Sequence, residues 1–195
     1  MKPVSEREAQ EAVTTLLRFI GEDPSREGLR ETPLRVVRSF QELFGGYATN
    51  PESVFKTFRD GGEKVDEMVI QRNIPFFSNC EHHMLPFFGV AHVAYVPEDE
   101  IIGLSKLARL VDVFARRLQV QERMTNQIAD ALVKYLKPKG AACVIEATHL
   151  CMVQRGIKKH MSDTTTSALR GVFLEPATRA EFLRFTQQGP RVPIF

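Results

Sequence analysis

The chain has 195 residues, 43% of them apolar and 26% charged, with a formal net charge of +2. That composition suits one well-filled globular core, carries too little charge for nonspecific nucleic-acid binding, and contains no apolar run long enough to span a bilayer. An anionic partner must be held by a local cluster of cations, and there is neither an internal repeat nor a low-complexity tract.

Ser5 followed by Glu8 makes a capping box, and Ala9, Val13, Leu16, Leu17 and Ile20 form the apolar stripe of a first helix that Gly21 ends. Thr32 and Pro33 open a second, with Leu34, Val37, Phe40, Leu43 and Phe44 on one side and Gly45-Gly46 as its stop. From Tyr47 to Gly62 there is little periodicity, so the segment reads as a connection. The expected organisation is a helical region with its connection over 1–62 and a second region over 63–195.

After the connection the pattern turns to strands, Met68 to Phe77 and Gly89 to Val96, joined by a turn around Cys80-Glu81-His82-His83. Leu104, Leu107, Val111, Phe114 and Leu118 predict a helix begun by Ser105. Met124, Ile128, Leu132 and Leu136 predict another, closed by Pro138 and Gly140. Strands over 141–153 and 166–174 and a short helix over 178–185 complete the series. The class is α+β with a ββααββ core. Helices would cover one sheet face and leave the sheet edges open, and oligomerisation is the expected remedy.

The chemistry gathers at the cysteines. Cys80 and His83 lie three apart in a turn bounded by Pro75 and Pro86. On an extended strand His149 and Cys151 share a face. Two sulfurs and an imidazole are one ligand short of a closed structural zinc site, and that opening leaves room for a water that zinc makes nucleophilic near neutral pH. Cys143 would sit roughly 26 Å from Cys151 along that strand, too far to be a fourth ligand. The competing readings are buried core thiols or a Cys80–Cys151 disulfide. Three cysteines and no apolar N-terminal signal suggest a cytoplasmic protein, where a structural disulfide is disfavoured.

Further cations and acids have plausible uses. Ser105 and Lys106 at a helix start, with Arg109 one turn on, suit a phosphate, and Arg155, Arg35 and Arg38 can add to the same field, although such residues commonly just solvate a surface. No phosphate-binding loop of the G-x-x-x-x-G-K-[ST] type is present, so a bound triphosphate is a handle rather than the bond that breaks. Glu122, next to Gln121, can accept the N1–H and N2–H of guanine, which adenine cannot supply.

Taken together, Glu-Thr-Pro-x-Arg-Val at 31–36, Cys-Glu-His-His at 80–83, Gly-Leu-Ser-Lys at 103–106, Gln-Glu-Arg at 121–123 and His-Leu-Cys-Met with Arg155 strongly resemble the zinc form of GTP cyclohydrolase I. The resemblance implies a tunnelling fold whose subunits join their sheets into a barrel, usually in a homodecamer with active sites between subunits. It implies Cys80, His83 and Cys151 as Zn2+ ligands, Glu122 with Gln121 at the guanine edge, and Ser105, Lys106, Arg109, Arg155, Arg35 and Arg38 around the triphosphate of GTP. His82 and His149 remain for proton transfer, with the Ser105 hydroxyl as a further catalytic candidate. The implied reaction opens the imidazole ring at C8, loses formate and closes to 7,8-dihydroneopterin triphosphate. Alternatives are a related tunnelling-fold enzyme using Cys80 as nucleophile, as in the nitrile reductases, or a nucleotide-binding module with structural zinc.

Overall fold

A computed structural model describes residues 4–59 and 65–187 and divides the chain into two compact units, 1–45 and 46–195. The division expected at 62/63, and Gly61 and Gly62 with it, lie outside the described residues. In the first unit, helix α1 (Glu6–Phe19) is capped as the sequence predicts: the Glu8 N–H donates to Ser5 Oγ at 3.2 Å, and the Ser5 N–H donates to Glu8 Oε2 at 2.8 Å. Gly21, at φ 89°, turns the chain out of the helix where a side chain would strain. Helix α2 (Thr32–Leu43) starts with Pro33 in its first turn, and Phe40 meets Phe44 edge-on at 5.2 Å.

The second unit starts with the connection. Tyr47 accepts the Leu118 N–H at 3.1 Å, and the two-residue strands β1 (Thr57–Phe58) and β4 (Ile101–Ile102) pair antiparallel. The main sheet contains β2 (Val69–Cys80), β3 (Pro86–Val96), β5 (Leu118–Gln119), β6 (Gly140–His149) and β7 (Thr164–Gly171), in the order β5-β2-β3-β6-β7. The long strands are antiparallel, while the short β5 runs parallel to the end of β2. Helices α3 (Leu104–Ala115) and α4 (Gln121–Leu136) lie between β4 and β6 in the chain.

Alternation along the strands sorts the core. Phe76, Phe87, Tyr95, Cys143 and Ile145 belong to one buried cluster with Leu107, Leu110, Met124, Ile128 and Leu132 of the helices. Ala94, Val96, Ala142 and Val144 point the other way, against Phe173 of a 3-10 turn (Val172–Leu174) and Phe182 of helix α6 (Pro176–Thr186). Part of the second face is therefore covered from within the chain, where the sequence suggested helices on one face alone. Small residues make this possible, because alanines let the Phe173–Phe182 pair sit close to the sheet.

Three expectations need correction. The segment after His149 is not strand: Leu150–Val153 forms a one-turn helix, α5, because a short apolar run carries no period that separates strand from helix. The helix expected to begin at Ser105 begins at Leu104 with Gly103 as cap. The last strand stops at Gly171 instead of reaching Leu174, since φ 59° there breaks the extended path.

His92, on β3, is 1% exposed and its Nδ1 has no hydrogen-bond partner among the described residues. Burial pushes its pKa below the ordinary imidazole value, with the Glu146 carboxylate opposing and the Arg72 guanidinium reinforcing that shift. A base whose folded pKa is depressed takes its proton more readily unfolded, so this contribution to stability is complete above about pH 6.5 and is lost as the pH falls toward the folded pKa. Melting temperatures measured from pH 7.5 to 5 should fall less steeply for His92→Gln than for the unchanged protein; parallel curves would remove His92 from the pH response.

Candidate active site

Backbone pairing builds the site. At the β2–β3 turn the Cys80 N–H donates to the Leu85 carbonyl at 2.9 Å and the Met84 N–H to the Cys80 carbonyl at 2.8 Å, with Met84 at φ 54°. This tight loop holds Cys80, His82 and His83 together. The β3–β6 register sets Phe87 opposite His149, so β6 ends beside the turn and α5 delivers Cys151 to it. That register needs Gly89: a Cβ there would lie 1.9 Å from the Glu146 carbonyl oxygen of β6. On the other side, β5 pairs with the end of β2 and the Glu81 N–H donates to the Gln119 carbonyl at 3.0 Å, which brings Gln121 and Glu122 at the start of α4 to the same place.

One ligand atom each from Cys80, His83 and Cys151 lies within 4.8 Å of the others. Cys80 Sγ is 3.8 Å from His83 Nδ1, close to the roughly 3.5–3.8 Å edge of a tetrahedron with ordinary Zn–S and Zn–N bonds. His82 Nδ1 is also near Cys80 Sγ, at 3.7 Å, but only His83 joins the group that includes Cys151. Burial, then the adjacent Cys80 sulfur, pushes the Cys151 thiol above its ordinary pKa, with Arg155 partly opposing. Two sulfurs in that position resist losing both protons unless a cation sits between them. The soft donor set and its spacing fit a divalent metal of the zinc type. Cys143 is fully buried in the core and apart from this group, a thiol whose pKa is driven up by burial alone.

Arg155 Nη1 donates to His83 Nε2 at 2.8 Å. A neutral imidazole has one lone pair, so His83 either accepts from Arg155 or holds a metal. Arg123 forms an ion pair with Glu81, whose second oxygen lies 3.9 Å from His82 Nε2. The His149 ring lies flat on Phe87, 4.6 Å between centroids and 4° between planes. Burial lowers its pKa and the nearby Glu122 charge opposes that shift, which places the Glu122 carboxylate in electrostatic reach of the imidazole.

The chain thus brings together Cys80, His82, His83, Gln121, Glu122, His149, Cys151 and Arg155. Ser105, Lys106 and Arg109 stand on the first two turns of α3, and no hydrogen bond or ion pair among the described residues ties them to the cluster. Arg35 and Arg38 belong to α2 of the first unit, where Arg35 pairs with Glu31 at 2.5 Å. Sequence reasoning missed Phe87 as the platform for His149. It also missed Thr125 and Thr166, whose hydroxyls lie 2.6 Å apart behind Gln121. Their only sequence signal was a polar residue at an otherwise apolar helix or strand position.

The family model for GTP cyclohydrolase I matches residues 9–187. A protein named GTP cyclohydrolase 1 from Chlorobium chlorochromatii is 59% identical over 180 residues, covering 92% of this chain and 80% of its own. Proteins of the same name from Sinorhizobium fredii (52%, covering 92% of this chain and 88% of theirs) and Wolinella succinogenes (54%, 89% and 93%) are similar over comparable lengths. A solved archaeosine synthase QueF-Like superposes on 53% of this chain and 93% of its own with a TM-score of 0.44 at 13% identity, too distant to add to the fold described above. The matches run from within α1 to the end of α6 and take in the metal turn, α4 and α5, so the chain belongs to the GTP cyclohydrolase I family.

Proposed function

We propose that the protein hydrolyses GTP at C8 of the guanine, releases formate and closes the product to 7,8-dihydroneopterin triphosphate. The observation that carries this is the convergence of Cys80, His83 and Cys151 beside His149 and Glu122, in a chain more than half identical to relatives named for that activity. Cys80, His83 and Cys151 would hold Zn2+, which when bound supplies Lewis acidity and an activated water at an aromatic carbon that water alone attacks too slowly. The remaining steps belong to the protein's own groups.

Glu122 would accept the guanine N1–H and N2–H in parallel, fixing the base so that its imidazole edge faces the cluster. His149, stacked on Phe87, has a ring fixed in position to exchange a proton with the opening imidazole. His82, more exposed and next to Glu81, is the second candidate. Once the His83 lone pair is engaged by a metal, the Arg155 guanidinium is free for a phosphate. Cys80 shares its sulfur's surroundings with Cys151, which suits a ligand better than a covalent nucleophile.

We further infer a tunnelling-fold assembly with sites between subunits, in the cytoplasm. Among the described residues, β2 is paired on its outer side only through the two-residue β5 and β7 has no outer neighbour, so both edges can take a strand from another copy. In such an assembly Ser105, Lys106, Arg109, Arg35 and Arg38 of one copy would supply the triphosphate site, with the Ser105 hydroxyl nearest to the reacting sugar. Incubation of metal-replete protein with GTP should release formate and give a pterin that fluoresces after oxidation, and a chelator should abolish both. Metal-replete protein that does neither overturns the proposal.

A further inference from the structure

The resemblance sets Gln121 at the guanine edge, but its side chain is 1% exposed and engaged inside the protein. Its Nε2 faces the carbonyl oxygens of Thr164 at 2.8 Å and Ile145 at 3.1 Å and the Thr166 hydroxyl at 3.2 Å. Its Oε1 lies 2.7 Å from His149 Nε2. The two carbonyls only accept, so the amide orientation is determined by chemistry: the NH2 group must face them, and the oxygen must face the imidazole. An amide oxygen has no proton to give. His149 Nε2 must carry the hydrogen of that bond.

We propose that Gln121 is a positioning residue that holds His149 as its Nε2–H tautomer and so leaves Nδ1 with the lone pair of the neutral ring. The hydroxyls behind it make the arrangement self-consistent. Thr125 Oγ1 donates to the Gln121 carbonyl at 2.8 Å, so in the 2.6 Å contact between the two threonines Thr166 is the donor, and its remaining lone pair accepts from Gln121 Nε2. Each hydrogen in the network has one sensible place. Phe87 fixes the ring plane from its face while Gln121 fixes its rotation and protonation, and together they define which ring atom is presented to a reacting group.

The functional half of this inference rests on the reading that His149 exchanges protons with GTP; the structural half does not. Nitrogen NMR of protein labelled with [15N]histidine, recorded near pH 8 where imidazoles are neutral, should show Nε2 of His149 as the protonated, pyrrole-type nitrogen. The resonance is assigned by its loss in His149→Gln. An Nδ1–H tautomer there overturns the proposal. Gln121→Met, which removes the acceptor, should mix the tautomers and lower kcat about 100-fold, the lower end of what a positioned acid or base contributes, with KM for GTP changed less than about 3-fold. Gln121→Glu, whose neutral carboxyl offers an O–H to the carbonyls and an oxygen to His149, should restore the Nε2–H tautomer and most of kcat. A raised KM with unchanged kcat in Gln121→Met would return Gln121 to the guanine edge and overturn the proposal. Should Gln121→Met not fold, the wild-type spectrum and Gln121→Glu still decide it. Wild-type protein that releases no formate would remove the proposed function, while the spectrum would still judge the tautomer.

Discussion

Cys151→Ser protein should fold and assemble like the unchanged protein, bind metal about 1000-fold more weakly and release formate from GTP at least about 1000-fold more slowly. The affinity figure follows from sharing the roughly 10–16 kcal/mol of a four-ligand zinc site among its ligands, about 3–4 kcal/mol each, since a serine hydroxyl is a poor substitute for a thiolate. The rate figure is what several kcal/mol of lost Lewis-acid stabilisation amounts to. Stability should barely move, because Cys151 sits half-buried on a one-turn helix outside the main core, where such a change costs about 1 kcal/mol or less. Cys143→Ser is the opposite control: it puts a hydroxyl in a fully buried apolar position, should cost about 1–3 kcal/mol, and should leave the metal in place. Elemental analysis, thermal melting, gel filtration and formate assay on both variants separate the roles. If Cys151→Ser unfolds while Cys143→Ser keeps its stability, the metal group is structural.

Legibility in the sequence followed the range of the interactions. Elements stabilised by near neighbours could be read directly: the Ser5–Glu8 box started α1 as expected, the apolar stripes of α3 and α4 point into the core, and the Cys80–His83 turn does cap a hairpin. What failed depended on contacts distant in the chain. Leu150–Val153 is apolar whether strand or helix, and only the end of pairing with β3 at Phe87 decides that the chain coils there. Gln121 looked like a solvent-facing partner of Glu122, yet its burial is set by Thr164 and Thr166 on β7, more than forty residues later. The cations of α3 and α2 presented a further difficulty. Their types and spacing suggest a phosphate site, but a single chain offers nothing that assigns them a phosphate, because the arrangement proposed for them needs a second copy.

Glu122→Gln should lower kcat/KM for GTP about 1000-fold, mostly through KM, and should abolish most of the enzyme's preference for GTP over ITP. Glu122 is exposed in the first turn of α4, where the helix end favours a carboxylate by only a few tenths of a kcal/mol, so the protein should fold normally. The loss arises in recognition. The carboxylate accepts from two guanine N–H groups, and charge-assisted hydrogen bonds contribute about 1.5–3 kcal/mol each. An amide keeps one acceptor but turns an NH2 toward the other donor, so one bond is lost and a donor–donor contact replaces it. Inosine keeps N1–H but lacks the 2-amino group, so the unchanged enzyme should use ITP about 10- to 100-fold less well, and the gap should close in the variant because the lost bond is the same one. Kinetics of both enzymes on both nucleotides complete the cycle. Equal preference for GTP over ITP before and after the substitution would mean that some other group reads the guanine edge, and Glu122 would then matter only through the charge it presents to His149.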